Sequence, residues 1–354
     1  MALRESVMGA PATDELEPAL LAAARAGDSD AFGRLSDRYR RELLLHCYRM
    51  LGSIHDAEDA VQDTFVRAWS KIASFEGRAP LRAWLHAVAT NTCLTAMRRS
   101  RRIRANQARA RTGGTDPDVH GVEPVAFTPF PDRLLNDILD THPGPAAQIE
   151  RREQVGLAFL AAVQVLPARQ RAALVLHDVL EWSAAEVAEA LETSVAAVNS
   201  ALQRARATLR RERAAGLIPR VHSPASADVE RALVERFAHA WAACDVEGLA
   251  LLLAEDVLLI APQRRLRRTG RRSVVTFFSS LRPDGRFDRI RLIATGANGQ
   301  PAFADYFEDV ATGGHTAHGL MVLSMGDETI DGITGFDDPS LFPLFGLPMT
   351  LPRE

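Results

Sequence analysis

From residue 14 to about 104 the apolar positions recur every three or four residues with almost no alternating run, and this pattern predicts a helical bundle. Ala57, Val61, Phe65, Ala68 and Ile72 form one stripe, while Asp56, Glu58, Asp59 and Asp63 crowd the rest of that helix. Leu81, Leu85, Val88 and Thr92 form a second stripe, on a helix introduced by the breaker Gly77-Arg78-Ala79-Pro80. Residues 1–13 read as a disordered tail. Residues 105–148 lose the period and hold Gly113-Gly114 and six prolines, so they read as a linker, longer than a compact domain keeps as a loop. Helical spacing returns over 149–214, and a short link with Pro219, Ser223 and Pro224 fills 215–227.

From residue 228 to the end at 354 the texture is mixed. Helical stretches around Val229–Cys244 and Val274–Leu281 alternate with strand-like runs at Asp256–Ile260, Arg289–Ala294, Ala302–Phe307 and Gly319–Met325, set off by glycine turns. The expected fold is therefore multidomain: two all-α domains followed by an α+β domain.

Within the second helical domain, Pro167 starts a helix that should end near Val179, and Ser183 with Glu186 three residues on is a capping box for the next. After the turn Glu192-Thr193-Ser194, Val195 to Arg211 reads as a third helix. Its inward stripe is Val195, Val198, Leu202, Ala205 and Leu209. Ala196, Ala197, Asn199, Ser200, Gln203 and Arg204 then face outward. This is a helix-turn-helix, and such a helix reads base edges in the major groove from its N-terminal half. Asn and Gln suit adenine, Arg suits guanine or phosphate, and small residues at 196 and 197 allow close approach.

Charge sharpens this picture. The formal net charge is only −3, but Arg98 to Arg111 is arginine-rich without an acid, Asp116 to Asp140 is mainly acidic, and Glu150 to Arg213 is mixed and basic. Two basic segments around an acidic connector fit a ligand with separate anionic sites. Lys71 is the only lysine, so arginine abundance reflects the composition of the whole chain before it reflects nucleic acid. The three cysteines, Cys47, Cys93 and Cys244, form no CxxC pair, which argues against zinc and against a disulfide framework. No run of eighteen uncharged apolar residues spans a membrane and the N-terminus lacks a secretory pattern, so a cytoplasmic protein is expected.

The run LPARQRAALVLHDVLEWSAAEVAEALETSVAAVNSALQRARATL closely resembles region 4 of extracytoplasmic-function (ECF) sigma factors of bacterial RNA polymerase. YRRELLLHCYRMLGSIHDAEDAVQDTFVRAWSKIASFEGRAPLRAWLHAVATNTCLTAMRRSRR resembles their region 2, and the two stand in the family's order. The resemblance implies three sets of contacts. Asp56, Glu58, Asp59, Gln62 and Asp63, with Phe65 and Trp69 beside them, would dock on the clamp of the largest subunit of core polymerase. Arg78, Trp84, Asn91, Arg98, Arg99, Arg101 and Arg102, from the Phe75–Pro80 loop and the helix after it, would bind the opened −10 promoter element. Ala196, Ala197, Asn199, Ser200, Gln203 and Arg204 would read the −35 element, although Asn199 and Ala201 replace a common basic pair and leave the preferred sequence open. Asp116, Asp118, Glu123, Asp132, Asp137 and Asp140 would let the linker occupy polymerase channels where nucleic acid otherwise runs.

Residues 228–346 resemble the SnoaL-like group of the ketosteroid-isomerase-like fold, on ANGQPAFADYF and FDDPSLFPLFGLP. Asp305, Tyr306, His315 and His318 are its candidate polar residues, but their spacing specifies neither a catalytic set nor a metal site, so no catalytic residue, metal or cofactor is expected. A small apolar ligand is one reading of its pocket and regulation by docking another. Arg264, Arg265, Arg267, Arg268, Arg271 and Arg272 would form a solvated turn or meet DNA or the acidic linker. Two rival functions stay open: a one-component helix-turn-helix regulator with a ligand domain, and a bifunctional sigma factor with a catalytic third domain.

Overall fold

The computed structural model describes residues 16–111, 127–139, 156–214, 226–264, 266–281 and 287–353. The first bundle consists of α1 (Leu16–Arg25), α2 (Ser29–Leu51), α3 (Ile54–Lys71) and α4 (Leu81–Arg111). Asp28 starts α2 by accepting from the N–H groups of Asp30 and Ala31, and Gly52 ends it at φ 79°, where a side chain would be strained. The α3 stripe from Ala57 to Ile72 is buried, as expected. Its consequence for Phe65 differs from the docking role expected: only 8% of that residue is exposed. It belongs to the bundle core because it falls on the same stripe as Val61 and Ala68.

Three further α-helices form the helix-turn-helix: α7 (Ala168–Leu174, running into a π-turn at Val175–Val179), α8 (Ala184–Ala190) and α9 (Val195–Ala214). They are preceded by α6 (Leu157–Gln164). The capping box at Ser183 and Glu186 is formed in both directions, and these hydrogen bonds hold the Glu186 carboxyl below its ordinary pKa. Val198, Leu202 and Ala205 are buried, but Val195 is not. Ser194 caps the helix by accepting from Ala197 N at 3.2 Å, so Val195 lies in the first turn, short of the core.

The linker departs most from expectation. Within it, Pro131 and Asn136 frame part of an ordered segment, residues 127–139, in which α5 (Asp132–Leu139) forms. Phe127, Phe130 and Leu135 are almost fully buried. Prolines at 129 and 131 broke the sequence period and hid these apolar anchors. Asp132 accepts from Gly299 N at 2.7 Å instead of presenting its charge to solvent. Asp116, Asp118, Glu123 and Asp140, and the side chain of Asp137, lie outside what is described.

The third domain has α10 (Ala227–Ala242), α11 (Val246–Leu252), α12 (Arg271–Ser279) and a sheet in the order β2-β1-β6-β5-β4-β3. The strands are β1 (Leu253–Ala261), β2 (Leu266–Thr269), β3 (Ile290–Ala297), β4 (Gln300–Glu308), β5 (His315–Met325) and β6 (Ile330–Phe336), with β7 (Thr350–Leu351) paired to β5. The four foreseen strands are present. β2, β6 and β7 are additional to these; β2 and β7 are short, and Gly332 and Gly335 interrupt the apolar pattern of β6. One face of the sheet closes over Phe237, Trp241, Phe278, Phe287 and Phe303. The other face, with Ala304, Tyr306 and Phe336, joins the same apolar cluster as the first bundle, through Phe127, Phe130 and Leu135 of the linker and Leu341, Phe342 and Phe345 of the closing run.

Candidate nucleic-acid interface

The α3 face has Asp56, Asp59, Gln62 and Asp63 exposed, with Glu58 half-exposed and 3.9 Å from His55. Trp69 is 37% exposed and its ring packs on Phe32 at 5.1 Å. Val66, which the sequence reading passed over, is 69% exposed in the middle of this acidic surface. Its signal was available: it is apolar, lies off the buried stripe, and sits three residues from both Asp63 and Trp69. Acidic rim and apolar centre together suit reversible protein docking.

On α4 the two kinds of expected DNA contact separate. Arg98, Arg99, Arg101 and Arg102 are exposed along its outer half. Arg78 is exposed and paired with Glu76 at 2.6 Å. Trp84 is half-buried and its ring packs at a tilt against Phe75, centroids 5.0 Å apart, so it is committed to the bundle. Asn91 is also committed: its amide donates to the Ala190 carbonyl of α8 at 3.0 Å.

That bond shows how the two helical domains meet. A cleft between them is lined by Arg67, Asn91, Arg98 and Leu94 on one side and by Arg169, Thr193, Ala197 and Arg204 on the other. Asn199, Ser200 and Gln203 point outward on α9, whereas Ala197 and Arg204 turn towards α4. Arg171 fixes the arrangement. Its guanidinium, in a residue 6% exposed, donates to the Met50 carbonyl of α2 at 2.6 Å and to the Gln164 carbonyl at 2.7 Å. Burial lowers its pKa to about 10, still above neutrality, so it remains a cation.

In the third domain, β5 brings His318 beside Asp305 of β4, with Nδ1 and Oδ1 2.7 Å apart. His318 Nε2 lies 3.2 Å from Arg264 Nη2, and Arg264 Nε donates to Asp337. The sequence did not pair these residues, because the contacts depend on strand register and on a 3₁₀ turn at Pro262–Arg264. Arg264 is thus an exposed ion-pair partner of Asp337, held at the mouth of this polar group. Tyr306 points to the opposite face and donates to the Pro348 carbonyl at 2.9 Å. Among the described residues, no group of three or more His, Cys, Asp or Glu is placed to hold a metal ion, and no helix is long and apolar enough to cross a membrane.

Residues 35–103 match Sigma-70 region 2, residues 156–209 match Sigma-70 region 4, and residues 234–328 match the SnoaL-like domain. Over 331 residues the chain is 41% identical to the ECF RNA polymerase sigma factor SigG of Mycobacterium tuberculosis, which covers 92% of this chain and 86% of that protein. The chain belongs to the ECF sigma factors. SigW of Bacillus subtilis, 28% identical, matches 53% of this sigma factor and 91% of its own length. The crystal structure of SigJ from M. tuberculosis has the same fold, with a TM-score of 0.58 at 24% identity over 90% of this sigma factor and 99% of that chain. A one-component regulator is not favoured by these relatives.

Proposed function

We propose that this sigma factor exists in a closed state in which its two promoter-reading surfaces face one another, and that the third domain holds it there. The observation that carries this reading is the cleft itself, where Arg98 of α4 and Arg204 of α9 line the same space. DNA bound at the −10 and −35 elements must reach both helices, so region 4 has to swing away from region 2 before a promoter is engaged. The joint among bundle, linker and third-domain sheet favours the closed form through buried apolar area.

Once open on core polymerase in the cytoplasm, Asp56, Glu58, Asp59, Gln62, Asp63, Val66 and Trp69 dock on the clamp of the largest subunit. Arg78, Arg98, Arg99, Arg101 and Arg102 hold the −10 strand and its backbone, with Asn91 released from Ala190. Ala196, Ala197, Asn199, Ser200, Gln203 and Arg204 enter the −35 groove. Phe65 and Trp84 support these surfaces from the core side. The third domain acts through contact and performs no chemistry.

The test is transcription from a defined promoter by purified core polymerase and this chain, combined with distance measurements between labels on α4 and α9. The reading predicts promoter-dependent initiation, short distances in the free chain and long ones on polymerase. A free chain with α4 and α9 already far apart would overturn the closed state.

A further inference from the structure

We propose that the cleft between the two helical domains is an anion site for a polyphosphate chain, free or carried by a nucleotide, and that its occupancy locks the closed state. The site rests on the closed arrangement proposed above.

Four arginines line this cleft: Arg67 of α3, Arg98 of α4, Arg169 of α7 and Arg204 of α9. Two come from each helical domain, so the set is assembled only while the domains are together. Glu192 is the one carboxylate among the lining residues, and four guanidiniums against it leave the walls with a formal charge of +3. None of the four arginines pairs with a carboxylate among the described residues. Other arginines of the same helices are neutralised. Arg206, two residues beyond Arg204, donates to Asp178 at 2.7 Å, and Arg82 of α4 donates to Glu42 at 2.6 Å. Like charges that converge on one cleft work against the closed state until an anion enters. Arg67 and Arg169 take no part in the promoter contacts described above, so DNA reading does not account for the set.

Charge and space set the ligand's chemistry. The cleft holds about 430 Å³, within the range of roughly 300–1,000 Å³ usual for small-molecule sites. No aromatic ring lines it, so it offers a base nothing to stack on. A phosphate monoester carries about −1.5 to −2 at neutral pH and leaves part of the wall charge unbalanced. A chain of two or three phosphates balances it and spaces its oxygens, so that one molecule can accept from guanidiniums of both domains. The first turn of α9 opens on the cleft at Ala197, and the positive end of its dipole adds to the attraction.

The consequence is a brake on promoter binding. Arg98 and Arg204 cannot hold this ligand and DNA phosphates at once. A ligand that fits only the closed form, at about 100 times its Kd, raises the ratio of closed to open chain roughly 100-fold.

Titration calorimetry of the full chain with sodium tripolyphosphate, orthophosphate and ATP, in metal-free buffer, tests the site. Tripolyphosphate should bind at least tenfold tighter than orthophosphate. Equal binding of ATP assigns the site to the phosphate chain alone, and tighter binding of ATP assigns it to a nucleotide. Arg67→Gln and Arg169→Gln should each weaken tripolyphosphate at least threefold with helical content unchanged. Arg210→Gln, at an exposed position of α9 outside the cleft, should leave it as it was. Saturating tripolyphosphate should also raise the share of short α4–α9 label distances. No binding of tripolyphosphate overturns the site, and so do equal losses in all three variants, which would mark a diffuse basic surface. Long α4–α9 distances in the free chain would refute the closed arrangement itself. Short distances without tripolyphosphate binding refute this site alone.

Discussion

Asn298 of the third domain donates its side-chain amide to the hydroxyl of Tyr48 in the first bundle at 3.0 Å. Tyr48 in turn donates to the Thr128 carbonyl at 2.7 Å, and Asn298 clasps Phe130 by accepting from its N–H and donating to its carbonyl, both at 2.8 Å. Three separate stretches of chain meet at one side chain, in a turn where Asn298 takes φ 59° and Gly299 takes φ 72°. Asn298→Gly keeps that backbone accessible and removes only the side-chain bonds. It should cost about 1–3 kcal/mol through the buried groups left unpaired, and hydrogen exchange at Phe130 should rise. Unchanged protection there would show that apolar packing alone holds the joint.

Arg171 joins the two helical domains in the same manner, as a cation at the C-terminal end of α2. Removing it leaves the Met50 and Gln164 carbonyls without their donor. Arg171→Ala should lower stability by roughly 3 kcal/mol, as loss of a charged buried donor does. Arg171→Lys should recover only part, because one ammonium cannot reach the same set of carbonyls. Denaturant midpoints measured with α4–α9 label distances check this. Equal distances in the Arg171→Ala variant would assign the residue to region 4 packing alone.

What could be read in the sequence was whatever repeats locally. The α3 and α4 stripes, the Ser183 capping box and four strands all follow from spacing within one element. Two classes of feature escaped. Phe65 and Trp84 have the residue types of interface anchors, yet their helical phase commits them to the core, and only packing decides between the two. Asn91 with Ala190, Asn298 with Tyr48 and Asp305 with His318 join residues distant in sequence, so no local period marks them. The linker illustrates both: its acids were legible, while the apolar residues that bury it were masked by prolines.

The buried histidines of the first bundle predict acid sensitivity. His46 is almost wholly buried, bonded to Thr90 at 2.8 Å, with its ring 5.1 Å from that of His86. Burial, and then the neighbouring His86 and Arg49, push the His46 pKa well down; burial is also the largest cause of the lowering at His86, against the opposing pull of Glu42. Both are therefore neutral when folded and titrate near 6.5 when unfolded. Below that value the unfolded chain binds protons that the native one does not, so stability is present above about pH 6.5 and falls as pH drops, by up to about 1.4 kcal/mol per pH unit for His46 and by less for His86, whose lowering Glu42 opposes. Urea midpoints between pH 7.5 and 5.5 should show this fall, and His46→Gln should remove the larger share of it. A pH-independent midpoint in this window contradicts the assignment.

Val66 offers the sharpest test of the docking face. Being exposed, it contributes little to the fold, so Val66→Glu should alter stability by no more than about 0.5 kcal/mol. Combined with Asp59→Arg it should weaken binding to core polymerase at least tenfold, about 1.4 kcal/mol, by removing an apolar centre and reversing one rim charge. Titration of labelled core polymerase measures it. Parental affinity with intact helical content would place the docking surface elsewhere.

Removal of the third domain, residues 226–354, is the most direct test of its role, but the structure shows that a plain truncation has a side effect. The sheet and the closing run cover Phe127, Phe130 and Leu135, and Arg133 anchors that cover by donating to the Leu344 carbonyl at 2.5 Å. Exposed together, these linker residues and Tyr48 would form a contiguous apolar patch of the kind that drives association. The truncated chain should therefore aggregate, whereas the same truncation carrying Phe127→Ser, Phe130→Ser and Leu135→Ser should stay monomeric. That monomer should show longer α4–α9 distances than the full chain. It should transcribe at a changed level with the same ranking of promoters, since Asn199, Gln203 and the α4 arginines are untouched. A truncated chain that is monodisperse without the serines, keeps short α4–α9 distances and transcribes like the full protein would mean that the third domain neither covers the linker nor holds the closed state.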